Sequence, residues 1–482
     1  MTTATATQQR PAGRPGPVSP APAGTPGWGP LLVVLAGTFM ALLDFFIVNV
    51  ALPSIQSGLH ASRAAVQLII AGYGLTFATG MISGGRLGDL YGRRRMFMTG
   101  LALFTLTSAA CGLAPGAGLL IGARVLQGAA GALMTPQVLA IIGIVYAGSR
   151  RDRAFAAYGL AMGFAGVLGQ LLGGAIITAS VGGSGWRGIF LINVPVGLIA
   201  LVLARRVIPE FGGSGVSGST GRLDPAGTAL ATAGLAAVVA PLIEGQQYGW
   251  PAWTWASLAA APVLLGGFVV HQRRRAASGR SPLVDPGLFA SRGFSVGSLA
   301  ALAFGLVPAS FFFVLALFLQ DGLGLSPLLS GEVFAAVGAG YFAAMMLATG
   351  LARRLGRQVL ALGAAVVAAG ALLLAAADGG TSWAPLLPGL AVTGFGIGLV
   401  LVPLSATVLA GVDPQHAGAA AGVLATAQQV GGAVGVALVG VVFYRSLGAG
   451  AFGHAMTVAL ILLAGLTVAT AALVQLLPRR AR

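Results

Sequence analysis

The sequence contains no lysine: all 27 of its basic residues are arginine, set against 11 acidic residues and four histidines. It has a single cysteine, Cys111, and only 8% of its 482 residues are charged. Each shortage excludes something. One thiol rules out an intrachain disulfide framework and a cysteine metal cluster. His60, His271, His416 and His454 fall near helix ends or in loops, and the sequence has no phosphate-binding loop and no carboxylates paired within a helical turn. We therefore expect no enzyme chemistry and no bound cofactor or metal. A chain so poor in charge also cannot clothe a soluble domain. The exclusive use of arginine, with an excess of alanine and glycine, points to a GC-rich bacterial genome.

What is present is apolar. Hydrophobic residues make up 56% of the chain and mean hydropathy is +0.90. The chain reads as an all-α polytopic membrane protein, since a spanning helix needs about 20 apolar residues. Apolar runs fall near 30–52, 64–84, 96–114, 117–147, 154–180, 188–208, 226–243, 253–271, 293–319, 328–351, 357–377, 384–411, 417–444 and 451–477. This predicts 14 transmembrane helices as 6 + 2 + 6: a disordered cytoplasmic tail at 1–28, a six-helix bundle at 29–210, a linker with an inserted helix pair at 211–292, a second six-helix bundle at 293–478, and a short tail at 479–482. The net charge of +16 would suit a nucleic-acid partner if it were gathered on one domain. It is instead scattered in short loops, and fourteen crossings place nearly all of the arginines on the side that holds both termini. That is the positive-inside pattern, so both termini are expected to be cytoplasmic. Trp186, Trp250, Trp253, Trp255 and Trp383 then fall near the outer interface as an aromatic belt.

Three features can carry chemistry. Asp44 is the only acidic residue well inside an apolar run, where a carboxylate costs roughly 2.5–3.5 kcal/mol at a helix centre. Arg124 is the only arginine inside a span, and it needs a carboxylate, backbone carbonyls or water. The stretch from Gly84 to Phe97, GGRLGDLYGRRRMF, joins two apolar runs and is expected to form a short polar hairpin in which Asp89 holds a neighbouring arginine or helix end. For each there is a plainer reading: a helix-packing hydrogen bond for Asp44, a tie between helix ends for Arg124, a generic cytoplasmic loop for the last. GLARRLGRQVL at 350–360 holds the position in the second half that the Gly84–Phe97 stretch holds in the first.

These stretches resemble motifs of the major facilitator superfamily, specifically its 14-helix drug/proton antiporter branch. Gly85, Leu87, Asp89, Gly92, Arg93 and Arg94 match its signature loop, with Leu90 in place of a usual basic residue; an inner gate at Gly85, Asp89, Gly92, Arg93 and Arg94 is what this implies. LLDFFIVNVALPSI matches the first-helix motif at Asp44, Asn49, Ala51 and Pro53. GARVLQGAAGALMTPQ matches the fourth-helix motif at Arg124, Gln127, Gly128 and Ala132. The resemblance implies proton coupling at Asp44 and Arg124. GFAGVLGQLLGGAI resembles the fifth-helix motif and places Gly166, Gly169, Gly173 and Gly174 in a helix-packing role. Gln170 stands there in place of the usual proline; it cannot kink a helix by losing an N–H, but it offers a donor and an acceptor. GWRGIFLINVPVGL and AGAAAGVLATAQQVGGAVGVAL resemble further segments of the branch.

The resulting expectation is a monomeric secondary transporter in a bacterial plasma membrane, with the proton as coupling ion. It would export hydrophobic, amphipathic or cationic drugs from a cavity lined by Asn49, Gln127, Gln170, Gln428 and Gln429, with lipid around it and no nucleic acid. An importer of a small metabolite, which Gln170 would favour, and a non-transporting sensor or scaffold remain as alternatives.

Overall fold

The structure, a computed structural model, describes residues 27–210, 224–280, 282–377, 382–409, 412, 417–448 and 452–477. The predicted N-terminal tail up to residue 26, the glycine-serine part of the linker and the last residues lie outside that set. Among the described residues there is no strand. The helices are α1 (Gly29–Leu59), α2 (Arg63–Tyr91), α3 (Arg93–Gly112), α4 (Ala117–Val145), α5 (Gly148–Ala179), α6 (Gly185–Val207), α7 (Pro225–Gln247), α8 (Ala252–Ala277), α9 (Arg292–Leu317), α10 (Pro327–Leu355), α11 (Gln358–Ala376), α12 (Leu386–Leu409), α13 (Ala417–Ser446) and α14 (Phe452–Val474). Twelve of them are long and apolar enough to cross a membrane, or up to thirteen if the bent α5 is one span. The helix left out of that set is α3, which opens on Arg93, Arg94 and Arg95 and packs against α4 and α6.

Small residues decide how the first helices meet. The tightest pairing in this half is α2 with α4. A Cβ at Gly84 would overlap the Ala132 carbonyl oxygen, and one at Gly88 would overlap the Gln137 amide. With no Cβ, the two backbones come into direct contact, as helix pairs in lipid do where small residues face each other.

The expected polar hairpin at Gly84–Phe97 is corrected by the structure. Helix α2 continues to Tyr91, and the whole turn is Gly92, at φ 94°, after which α3 begins at Arg93. The charges there do not break the helix; one residue of positive φ does. The second half also turns at a glycine of positive φ: α10 ends at Leu355 and Gly356 adopts φ 56°, with ψ −132° against 133° at Gly92. The internal echo in sequence is thus a shared glycine turn and not a shared backbone conformation. A second correction concerns Trp186, which is 5% exposed and packs against Gly58 and Phe190 instead of lying in an interfacial belt.

The inserted pair is not peripheral to the two bundles. Helix α7 packs on both α2 and α13, with Val239 and Ile243 meeting Ala71 and Leu75 on one side and Ala433 and Ala437 on the other. Its start is fixed by Asp224, whose Oδ1 accepts from the Gly227 N–H (2.9 Å) and His271 Nε2 (2.8 Å) and whose Oδ2 accepts from Gln272 Nε2 (2.8 Å). Burial acts against the charged Asp224, but these hydrogen bonds and nearby Arg275 outweigh it and hold the carboxyl below its ordinary value. The knot is therefore charged and intact above the usual carboxylate range and weakens only in stronger acid.

Gly84→Val is predicted to destabilise the purified protein by about 1–3 kcal/mol through overpacking. Gly85→Ala, whose Cβ would sit an ordinary 3.7 Å from Pro136, is predicted to be close to neutral. Thermal unfolding of the two variants in detergent checks this; equal losses would contradict the packing account.

Candidate functional site

Asp44 and Arg124 meet. The Arg124 guanidinium donates through Nη1 to Asp44 Oδ2, and both side chains are essentially sealed from solvent, at 0% and 1% exposure. Asp44 Oδ1 accepts from Gln127 Nε2 and from Asn193 Nδ2, each at 3.0 Å. Arg124 also donates to Gln127 Oε1 (2.9 Å) and through Nε to the Ile69 carbonyl (3.2 Å), and its guanidinium stacks 4.2 Å from the Tyr73 ring centroid and 5.8 Å from that of Phe190. Asn193 donates in turn to Ser108 Oγ (3.0 Å), which donates to the Phe190 carbonyl (2.9 Å), and Cys111 Sγ reaches Gln127 Oε1 at 3.4 Å. The network joins α1, α2, α3, α4 and α6 in the middle of the first bundle. Such a pair tolerates burial only because neighbouring groups take up its remaining donors and acceptors.

The amides assigned to a cavity from the sequence are placed elsewhere. Asn49 is 3% exposed, and its Nδ2 donates to the Phe45 (3.3 Å) and Phe46 (3.2 Å) carbonyls of its own helix, so it is spent locally. Gln127 belongs to the Asp44 network and is fully buried. Gln170, at 1% exposure, is buried where α5 meets α10, and neither of its amide atoms has a hydrogen-bond partner. Gln428 and Gln429 are half-buried on α13, and the Gln428 backbone packs against Gly305 of α9. Gln170 removes no backbone N–H, yet α5 bends by 41° between Gly166 and Leu168, within its glycine-rich stretch.

The glycine stretch packs on two partners. Gly169 and Gly173 face Phe46 and Ile47 of α1, with Cβ positions 2.9 and 2.8 Å from them, and Gly166 lies farther out at 3.5 Å from Phe46. Gly174 abuts the Pro327 carbonyl of α10 so closely that a Cβ would overlap it. In the turn after α2, Arg93 donates to the Gly85 carbonyl (3.1 Å) and Gln137 (3.2 Å), Arg94 pairs with Glu210 at 3.5 Å, and Arg86 reaches the Pro282 carbonyl beyond α8. The Asp89 side chain lies outside what the structure describes.

The two halves close on each other at the end away from the arginine-rich turns. There a Cβ at Gly331 would lie 2.6 Å from the Gln170 carbonyl oxygen, Gly440 sits against Gln67, Gln320 Nε2 donates to the Val50 carbonyl (2.7 Å), and Phe46 and Phe312 cross edge to face at 5.6 Å. Toward the arginine-rich end α5 and α10 still meet through Phe164 and Phe342 (5.1 Å); one turn further Met346 is 84% exposed, and Gly159 and Gly350 have open space beside them.

Two matches to the profile of the Major Facilitator Superfamily span residues 34–226 and 225–436. The chain belongs to the major facilitator superfamily. It is accordingly a membrane transporter and not an enzyme. This facilitator is 39% identical over 432 residues to a probable actinorhodin transporter of Streptomyces coelicolor, covering 87% of this chain and 73% of the relative. It is 37% identical to a cephamycin export protein of Amycolatopsis lactamdurans, covering 85% and 83%, and 37% identical to a puromycin resistance protein of Streptomyces alboniger, covering 86% and 81%. In fold it is similar to the crystal structure of a D-xylose-proton symporter, with a TM-score of 0.65 at 16% identity over 94% of this chain and 97% of that one.

Asn193, Ser108, Tyr73 and Phe190 of the site escaped the sequence reading. Asn193 stands alone in the apolar run FLINVPVGL, and an amide in hydrocarbon without a local partner was the signal available for it. Tyr73 gave no such signal, because an aromatic residue in an apolar run is unremarkable.

Removing one partner of the buried pair leaves the other charge uncompensated, at a cost of about 3–5 kcal/mol. We predict that Asp44→Asn and Arg124→Gln each lower the melting temperature more than the double variant does. Additive losses in differential scanning calorimetry would show that the two charges do not depend on each other.

Proposed function

We propose that this facilitator exports drug-sized hydrophobic or amphipathic compounds from the cytoplasm in exchange for protons, with Asp44 as the group whose protonation state couples the two fluxes. The observation that carries the coupling assignment is the sealed Asp44–Arg124 pair. Protonating Asp44 removes the charge that binds α1 to α4 and weakens the tie through Asn193 to α6. Arg124 does not then lose every partner, because Gln127 Oε1, the Ile69 carbonyl and the Tyr73 ring remain in place. The group that lets go is α1. Its opposite face carries Phe46 and Val50, which meet Phe312 and Gln320 of the second half. A change at Asp44 therefore reaches the contacts that close the halves, and shifts the relative stability of the two access states.

The export direction rests on the names of the relatives, a cephamycin export protein and a puromycin resistance protein among them. The 41° bend of α5 supplies the helix deformation that the motif proline would otherwise provide, so Gln170 gives no support to import. Positive-inside charge supports a bacterial plasma-membrane location with both termini cytoplasmic, and fourteen crossings if α3, with 20 residues, spans. Because the Asp44 charge is already met by Arg124, Gln127 and Asn193, it offers nothing to a cationic substrate in this state, which favours neutral or anionic cargo. The turn at Gly92, with Arg93 on the Gly85 carbonyl, would act at the inner gate.

Cells expressing the protein are predicted to expel fluorescent amphipathic compounds, to lose this with a protonophore, and to lose it to background with Asp44→Asn. Normal efflux by Asp44→Asn would remove Asp44 from the coupling role, and net accumulation by the wild type would reverse the direction.

A further inference from the structure

Helix α8 is mostly exposed, yet together with the segment that follows it forms one wall of a defined cavity. Between α8, residues 284–289, α9 and α13 lies a cleft of about 510 Å³, within the range of about 300–1,000 Å³ for sites that take drug-sized molecules. The cleft begins where close glycine packing stops. Farther along, α9 and α13 are pressed together at Gly305 against Gln428 and at Gly431 against the Leu302 carbonyl. On the other side, α8 is held in place by Gln272, whose Nε2 donates to Asp224 and whose Oε1 accepts from the Val284 N–H at 3.2 Å. Neither wall is free to collapse onto the other.

The walls are apolar, with Phe268, Phe289, Leu299 and Val423 among them, and two polar features stand out. Ser298 lines the cleft, but its hydroxyl oxygen is itself buried and has no hydrogen-bond partner. Arg273 lies in the lining with its side chain exposed, suited to an anionic group that forks onto the guanidinium. Of the acidic side chains near the cleft, Asp285 is engaged with the Gly287 N–H at 2.8 Å and Asp224 with Gln272 and His271. The cleft also touches the seam between the halves, because Thr426, which lines it, donates to the Ala78 carbonyl of α2 at 3.2 Å.

We propose that this cleft binds a drug-sized amphipathic anion, its apolar body between Phe268 and Leu299 and its negative group on Arg273. The inserted helix pair thereby gains a role as the wall of a peripheral site next to the seam. Only the description of the ligand as cargo rests on the export reading; the binding does not.

The test uses the full-length protein in phosphatidylcholine nanodiscs, titrated with 11-(dansylamino)undecanoic acid, which brightens in apolar sites. Saturable binding is expected. Ser298→Phe and Val423→Trp, which fill the cleft from α9 and from α13, should each weaken binding about tenfold or more. Arg273→Gln should weaken it about fivefold, as befits a partly exposed ion pair, and Arg274→Gln should leave it unchanged. The neutral methyl ester should not distinguish Arg273→Gln from wild type. Absence of saturable binding, indifference to both filling variants, or equal effects of the two arginine variants would overturn the proposal. Loss of probe binding when phosphatidylglycerol replaces phosphatidylcholine would overturn it in favour of a lipid occupant. Binding as described in a protein that expels nothing from cells would leave the site standing and remove the export reading.

Discussion

A carboxylate and a guanidinium, both sealed from solvent in the middle of a helical bundle, are the constraint from which the rest of this structure follows. Neither charge is tolerable there alone. Asp44 therefore fixes α1 against α4 through Arg124 and Gln127, and against α6 through Asn193. This gives the first bundle a register that apolar packing by itself would leave loose, since side chains in lipid gain little from meeting one another rather than lipid tails. The same pair makes the bundle responsive, because its stability depends on a group that can take up a proton.

The second constraint is close backbone approach. Gly84 and Gly88 bring α2 onto α4, Gly169 and Gly173 bring α5 onto α1, and Gly174 and Gly331 let α5 and α10 meet across the two halves. Helix α1 thus has the charged network on one side and the inter-half contacts of Phe46 and Val50 on the other. A single helix links the titratable site to the closure of the molecule. Gln170 is buried at that closure with its amide unpartnered, which carries an energetic penalty there.

Much of this was legible in the sequence, and the failures have physical causes. Asp44 and Arg124 stood out because a charge in an apolar run is expensive; of the partners expected for Arg124, a carboxylate, backbone carbonyls or water, it meets the Asp44 carboxylate and the Ile69 carbonyl, and also Gln127. Helix positions followed from runs of apolar residues. What the sequence did not reveal was how polar groups pair in three dimensions. Asn49 looked available but satisfies itself on its own helix, while Asn193, equally inconspicuous, reaches across to Asp44. The Gly84–Phe97 stretch looked like a loop because its charges are dense, but charge does not end a helix, and the positive φ of Gly92 does. The bend in α5 falls in a glycine stretch that lacks the proline by which a kink is most often marked in sequence.

The central claim is that the protonation state of Asp44 sets how far the halves are closed. Spin labels at Thr178 on α5 and Glu332 on α10, both exposed at the end away from the arginine-rich turns, would report this as an inter-half distance measured by pulsed electron resonance across pH. The account predicts that the distance distribution shifts with pH in the wild-type background and is insensitive to pH in Asp44→Asn. The same pH response in both proteins would contradict it and place the proton-sensitive group elsewhere.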